Sequence, residues 1–96
     1  MPLSLGCQTI LRRMLNQRRI GGKHIPETIV LRWIKHLSKD DHKKALRDWG
    51  WCIKEGLVLT KPKPSDRHVF LNPRRLQEIM ILLNKGDNDD EIGKIL

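Results

Sequence analysis

The side chains most able to do chemistry in this 96-residue chain are its cations, which give it a formal net charge of +8. Four of them recur between residues 43 and 54. At about 100° per residue in a helix, these four fall within an arc of about 100°. Such a basic face can contact phosphates or base edges, and it can equally be an ordinary solvated helix surface. The four cations are Lys43, Lys44, Arg47 and Lys54.

The same helical wheel predicts which side of this segment is buried. When Lys43 is set at zero, five less polar residues occupy the arc between about 180° and 300°. Asp48 and Glu55 lie just beyond the basic arc, which places these acids to one side of the cations. The five predicted core residues are Ala45, Leu46, Trp49, Cys52 and Ile53.

A second group of cations follows this helix. Residues 60–67 hold two prolines and three cations without a large apolar residue, which predicts an exposed loop. Its cations can follow the phosphate backbone, or they can keep the loop soluble and protect a hairpin edge. Two arginines then begin the next helix, where they can attract a phosphate or pair with Glu78 or Asp66. These further candidates for binding a nucleic acid are Lys61, Lys63, Arg67, Arg74 and Arg75.

Trp51 does not fit the predicted core face. It lies about 200° from Trp49, so one helix face cannot bury both rings. Two interpretations stay open. Its ring packs under the loop or against the first helix, or it anchors a partner protein or a second subunit, since tryptophan is enriched in such contacts.

The other reactive residues form no catalytic or metal-binding pattern. The four histidines and two cysteines show neither C-x-x-C nor H-x-x-x-H spacing, so we expect no structural zinc site. The sequence also contains no glycine-rich phosphate loop and no G-x-S-x-G motif. We therefore expect no enzyme activity, no cofactor and no small-molecule ligand. Cys7 and Cys52 are expected to be buried free thiols.

Hydrophobic spacing predicts two helices within the first 37 residues. The first carries an apolar stripe from Cys7 to Leu15, and the glycine pair at residues 21–22 is expected to end it. The second opens at Pro26, a favoured first helical residue, and its apolar stripe ends at Leu37.

A third helix follows after a link of only a few residues. Ser38 is expected to cap it, with Asp41 three residues later as in a capping box. Gly56 is the expected C-terminal stop. The short link before this helix is typical of a helix-turn-helix corner.

The segment after Gly56 predicts a β-hairpin and a fourth helix. Residues 57–59 and 68–71 are short apolar strands on either side of the basic loop. Asn72 is expected to cap the fourth helix, with Pro73 at its first position. The predicted apolar stripe of this helix is Leu76, Ile79, Met80 and Leu83.

The order helix–helix–helix–strand–strand–helix predicts a mainly α domain with a small β-hairpin, of the α+β class. Residues 54–58 (KEGLV), the loop up to Arg67 and residues 68–76 (HVFLNPRRL) resemble the winged helix-turn-helix family. The resemblance implies a third helix that enters the major groove of duplex DNA, with the 60–67 loop as a wing. Some domains with this fold bind RNA or only proteins, so the fold does not decide the function.

Charge divides the chain into a basic domain and an acidic tail. Residues 1–86 hold 18 cations and 7 acids, whereas residues 87–96 hold one cation and four acids. We expect one domain over 1–86, with Gly86 ending the fourth helix. The 87–96 tail can cover a basic surface, extend the fourth helix or dock on a partner.

No apolar run approaches the roughly 18 residues of a membrane span, and the first six residues lack the charged region of a signal peptide. We expect a cytoplasmic protein, associated with the nucleoid if it binds DNA. The sequence predicts a double-stranded DNA-binding protein, either a small transcriptional regulator or a chromosome-associated factor, which forms a homodimer or binds a partner protein. The alternative is a winged-helix module that binds proteins, or structured RNA, without reading a groove.

Overall fold

In a computed structural model of the chain, which describes residues 3–84, the first helix is α1 (Leu5–Asn16). Ser4 caps this helix, because its side-chain oxygen accepts a hydrogen bond from the backbone N–H of Cys7 at 3.4 Å. The first turn of α1 contains no acidic residue of its own.

The C-terminal end of α1 differs from the prediction. The helix stops at Asn16 and does not continue to the glycine pair at 21–22. Arg18 takes the left-handed conformation with φ of 54°, and the N–H of Arg19 donates to the carbonyl of Met14 at 2.8 Å. These contacts satisfy the helix end before any glycine is reached.

The next elements are strand β1 (Ile25–Pro26) and helix α2 (Glu27–Arg32). The strand was not predicted, because two residues give no periodic signal and Pro26 suits a helix start equally well. The predicted second helix is confirmed, but it ends at Arg32 and not at Leu37. Residues 33–36 form turns, in which the N–H groups of 33–35 donate to carbonyls three residues earlier.

Helix α3 (Lys39–Lys54) is confirmed in its extent and in its caps. The side-chain oxygen of Ser38 accepts the N–H of Asp41 at 3.3 Å. Gly56 follows the helix with φ of 78°, a conformation that glycine adopts without steric cost.

The predicted hairpin is confirmed as strands β2 (Val58–Lys61) and β3 (His68–Leu71), which pair antiparallel. Because β2 reaches Lys61, the connecting loop is residues 62–67, shorter than predicted. Strand β1 pairs with the other edge of β3, so the antiparallel sheet has the order β1-β3-β2.

A fourth helix closes the described part of the chain. Asn72 accepts the N–H of Arg74 at 3.0 Å, as predicted, and a 3-10 turn (Pro73–Arg75) leads into α4, which covers residues 76–84. Residues 3–84 thus form an α+β domain with four α-helices and a three-stranded sheet. Their order is α1-β1-α2-α3-β2-β3-α4, so the predicted order lacked only β1. The predictions for Gly86 and the 87–96 tail lie outside the described residues.

Helices α1 and α3 pack closely through small residues. A Cβ added to Gly6 would lie 2.7 Å from the Cβ of Ala45, so only glycine allows this approach. Nearby, the Sγ atoms of Cys7 and Cys52 lie 3.9 Å apart, and both thiols are free and buried, as predicted. Contact with Cys52, together with burial, raises the pKa of the Cys7 thiol well above its ordinary value.

Two residues of the predicted core faces of α3 and α4 are exposed, and one acid predicted at the surface of α3 is buried. Leu46 is 37% exposed because it lies at the open groove between α2 and α3, and Met80 is 50% exposed on α4. Asp48, placed beside the surface cations by the wheel, is only 2% exposed. Its carboxylate accepts the backbone N–H of Ser4 at 2.7 Å, so α3 supplies the acid that the start of α1 lacks.

Candidate nucleic-acid interface

The basic face predicted for α3 is present on its solvent side. Lys43, Lys44 and Arg47 are exposed and, with Asp40, they line a shallow depression. The Arg47 side chain is 71% exposed, and its Nε lies 3.5 Å from a carboxylate oxygen of Asp48. The buried side of α3 fixes this orientation, because Ala45, Asp48 and Cys52 all contact α1 or its capping residue.

Lys54 is exposed at the other end of the same helix. A cation in the last turn is favourable by itself, because the helix C-terminus carries a partial negative charge. Within residues 3–84, no hydrogen bond or ion pair involves the side chains of Lys43, Lys44 or Lys54. The helix therefore presents ammonium groups that are available to an external anion.

The loop cations fall into two groups. Lys61 and Lys63 are exposed, and neither makes an ion pair with a described residue. Arg67 instead forms a bidentate pair with Glu27, with Nε and NH2 donating to the two carboxylate oxygens at 2.7 and 2.9 Å. Lys61 and Lys63 are open to a ligand, whereas Arg67 joins the base of the loop to α2.

Glu27 connects three elements of the domain. Besides Arg67, its carboxylate accepts the indole N–H of Trp49 at 2.8 Å, which adds a contact with α3. Burial raises the pKa of Glu27, but the hydrogen bonds from Arg67 and Trp49 outweigh burial and leave that pKa below its ordinary value. Asp66 adds a parallel link, since it accepts the hydroxyl of Thr28 at 2.7 Å. The hairpin loop is therefore held in a fixed position relative to α3.

The two arginines at the start of the last helix also differ in their contacts. Arg74 is exposed, and its side chain makes no hydrogen bond or ion pair among residues 3–84. Arg75 pairs with Glu78 at 2.6 Å, one of the pairings that the sequence left open. It also donates to the backbone carbonyl of Glu55, just after α3. Arg75 thus binds α4 to the end of α3, and Arg74 alone of the two is open to a ligand.

Trp51 packs half-buried against the core on the side of α4. It lines a depression with Leu57, Ile81 and Leu82, in which Ile81 is 46% exposed. One of the two interpretations from sequence places this ring under the loop or against the first helix. In the structure the ring lies beside the last helix instead. A helical wheel of α3 alone cannot show this contact.

A histidine pair near the loop was not predicted. The Nδ1 atoms of His24 and His68 lie 2.7 Å apart, so the N–H of one ring donates a hydrogen bond to the unprotonated nitrogen of the other. Burial lowers the pKa of His24, and the nearby charges of Lys61, His68 and Lys63 act in the same direction. The two residues are 44 positions apart and only β-pairing brings them together, so the sequence carries no local signal for the contact.

Within residues 3–84, no group of three His, Cys, Asp or Glu side chains could hold a metal ion. No helix in the same range is long and apolar enough to cross a membrane. No protein-family model, curated protein or solved structure matches this chain.

Proposed function

We propose that this protein is a winged-helix protein that binds double-stranded DNA, with α3 in the major groove and the hairpin loop as a wing. The element order supports the proposed fold, because α2 and α3 follow one another and a hairpin follows α3, although the link between the two helices (residues 33–38) is longer than the sequence predicts. In a helix-turn-helix the second of the two helices lies in the major groove, which here is α3.

The proposal depends above all on the open cations of α3. Lys43, Lys44 and Arg47 project from the side of the helix away from the core, with a single acid, Asp40, in their depression. Lysines at these positions suit contacts with phosphates, and Arg47 also suits a bidentate contact with guanine.

The contacts of the remaining cations divide their proposed roles. Lys61, Lys63 and Arg74 are open and suit phosphate contacts, and Lys54 adds a cation at the end of α3. Arg67 and Arg75 were candidates for direct contact, and their ion pairs favour a positioning role instead. We propose a small transcriptional regulator or a chromosome-associated factor as the biological role.

The experiment is a titration of a labelled random-sequence duplex by fluorescence anisotropy at several salt concentrations. Each neutralised phosphate contributes about −0.9 to the slope of log K against log salt. We expect a slope that corresponds to about four or more contacts. Arg47→Ala should weaken binding, whereas Trp51→Ala should retain most of it. No binding at low salt, or equal binding by Arg47→Ala, would contradict the proposal.

A second candidate is a protein-interaction module, favoured by the depression that Trp51 shares with the exposed Ile81. Here Trp51→Ala should abolish binding of a partner or of a second copy, and Lys43→Ala should leave it intact.

The structured-RNA alternative is tested by using an RNA duplex as competitor in the titration. Displacement by RNA at equal or lower concentration than DNA would favour RNA as the ligand.

A further inference from the structure

A groove between α2 and α3 has an apolar floor and a basic rim. Leu31 and Leu46 line it, and Leu46 is 37% exposed although it sits on the apolar side of an amphipathic helix. The groove encloses about 350 Å³, which is enough for a few side chains. Its remaining lining residues are Thr28, Arg32, Lys35 and His42.

The charged side chains at the rim of the groove are all cations. No acidic side chain lines the groove, and Arg32 and Lys35 are exposed without an ion pair among the described residues. A segment that covers the two leucines lies beside these cations. Carboxylates on that segment would pair with Arg32 and Lys35, whereas a segment without acids would leave both cations unpaired. The groove fits an acidic segment that also carries apolar side chains.

The depression beside Trp51 has a different charge pattern. Glu55 and Glu78 line it, and its cation, Arg75, is already paired with Glu78. An acidic segment would meet like charges there. Of these two apolar surfaces, only the groove between α2 and α3 is complementary to such a segment.

The chain itself contains a segment of this chemistry just after the described residues. Residues 87–91 include four acids, and Ile92, Ile95 and Leu96 follow them. The segment thus combines carboxylates with apolar side chains, the two kinds of group that complement the cations and leucines of the groove.

The contacts of α1 trace a route from the end of the described chain to the groove. The carbonyl of Leu83, near the end of the described chain, accepts a hydrogen bond from Arg12 at 3.2 Å. Arg12 lies about 9 Å along α1 from Gly6, which packs against Ala45, the neighbour of Leu46. Residues 85–92 span up to about 27 Å when extended, a length of the same order as this route from Leu83 to Leu46.

We propose that residues 87–96 dock into the groove between α2 and α3 of their own chain, with Ile92 and Ile95 on the leucines and the acids facing Arg32 and Lys35. This inference goes beyond the proposed DNA binding and does not require it. Because the groove borders the basic face of α3, the docked segment would also compete with any polyanion for that face.

The test is methyl NMR on the full-length chain, labelled at isoleucine and leucine methyl groups, without nucleic acid. We expect NOEs from Ile92 and Ile95 to Leu31 and Leu46, assigned by Ile→Val substitutions and unchanged on dilution. Lys35→Glu should abolish these NOEs and shift the amides of 88–96 to the values of the free peptide 85–96. Lys23→Glu, an equal charge change away from the groove, should preserve them.

An independent variant avoids any effect on the folded domain. Asp89→Asn with Asp90→Asn should weaken the same NOEs, because it removes charge only from the segment. NOEs from Ile92 to Ile81 or Leu82 would overturn the proposal, as would NOEs that disappear on dilution, which indicate a second copy. Free-peptide amide shifts in the unmodified chain would also overturn it.

Discussion

Two groups of cations in this domain have the same chemistry and different surroundings. On α3, Lys43 and Lys44 are exposed and have no carboxylate partner within residues 3–84. Beside β3, Arg67 and Arg75 are each held by a glutamate, at 2.7 and 2.6 Å. The lysines of the first group are exposed to solvent and unpaired. The arginines of the second group form hydrogen bonds that join α2, α3 and α4.

The difference teaches that a basic residue whose side-chain hydrogen bonds are already accepted by a carboxylate is a weaker binding candidate than one without such hydrogen bonds. A paired arginine contributes less to the external potential, and its removal disturbs the elements that it joins. An unpaired surface lysine contributes to the potential and little to stability. Substitutions in the two groups should therefore affect different measurements.

The largest expected effect on stability comes from removing the partner of Arg67. Glu27→Gln leaves Arg67 and the Trp49 indole with a weaker acceptor, and should lower the free energy of unfolding by about 1–2 kcal/mol. Urea denaturation measures this change. Glu55→Gln removes the same charge from an exposed side chain and should stay within about 0.5 kcal/mol. Equal effects of the two variants would show that the Glu27 contacts are not stabilising.

The same carboxylate gives a pH dependence. The folded-state pKa of Glu27 lies below its ordinary value of 4.5, so its contribution is present above that value. The contribution is lost as the pH falls through the lowered folded pKa. Urea midpoints between pH 6 and pH 3 should thus fall less steeply for Glu27→Gln than for the unmodified chain. Parallel curves would contradict the assigned role of Glu27.

His24 gives a pH dependence in a higher range. The pKa of His24 is lowered from 6.5, so the unfolded chain binds more protons and stability should decrease as the pH falls below about 6.5. His24→Gln should flatten the dependence of the urea midpoint between pH 7.5 and 5.5. His36→Gln, which replaces an exposed histidine, is the control and should preserve the slope.

The smallest stability effect is expected on the basic face of α3. Lys43→Ala with Lys44→Ala should change the free energy of unfolding by less than about 0.5 kcal/mol, since both side chains are exposed and alanine favours helix. Thermal or urea unfolding tests this expectation. A loss comparable to that of Glu27→Gln would mean that these lysines have structural partners.

The sequence predicts what depends on neighbours in the chain. Ser38, Gly56 and Asn72 lie at the helix ends that their types favour, because capping is a local interaction. The basic face of α3 also follows from helical spacing alone. The local capping residues explain why the bounds of the third helix and the start of the last helix could be predicted. The helical spacing explains why the exposed cations of α3 could be predicted.

Long-range contacts account for what the sequence did not predict. Glu27 and Arg67 are 40 residues apart, and no local pattern distinguishes Arg67 from the free lysines of the loop. Strand β1 exists only through its pairing with β3. Asp48 is polar and its wheel position is marginal, so its burial depends on the backbone N–H that Ser4 brings to it.

The measurement that tests the central claim most directly compares two double variants in the salt-dependent titration with duplex DNA. Lys43→Ala/Lys44→Ala removes two charges from α3. Arg18→Asn/Lys23→Ala removes two exposed charges elsewhere, and asparagine tolerates the left-handed conformation of Arg18. We predict that the first variant reduces the slope of log K against log salt by about 1.8 and that the control variant leaves it nearly unchanged. Equal slopes for the two variants would contradict the proposal that α3 binds DNA.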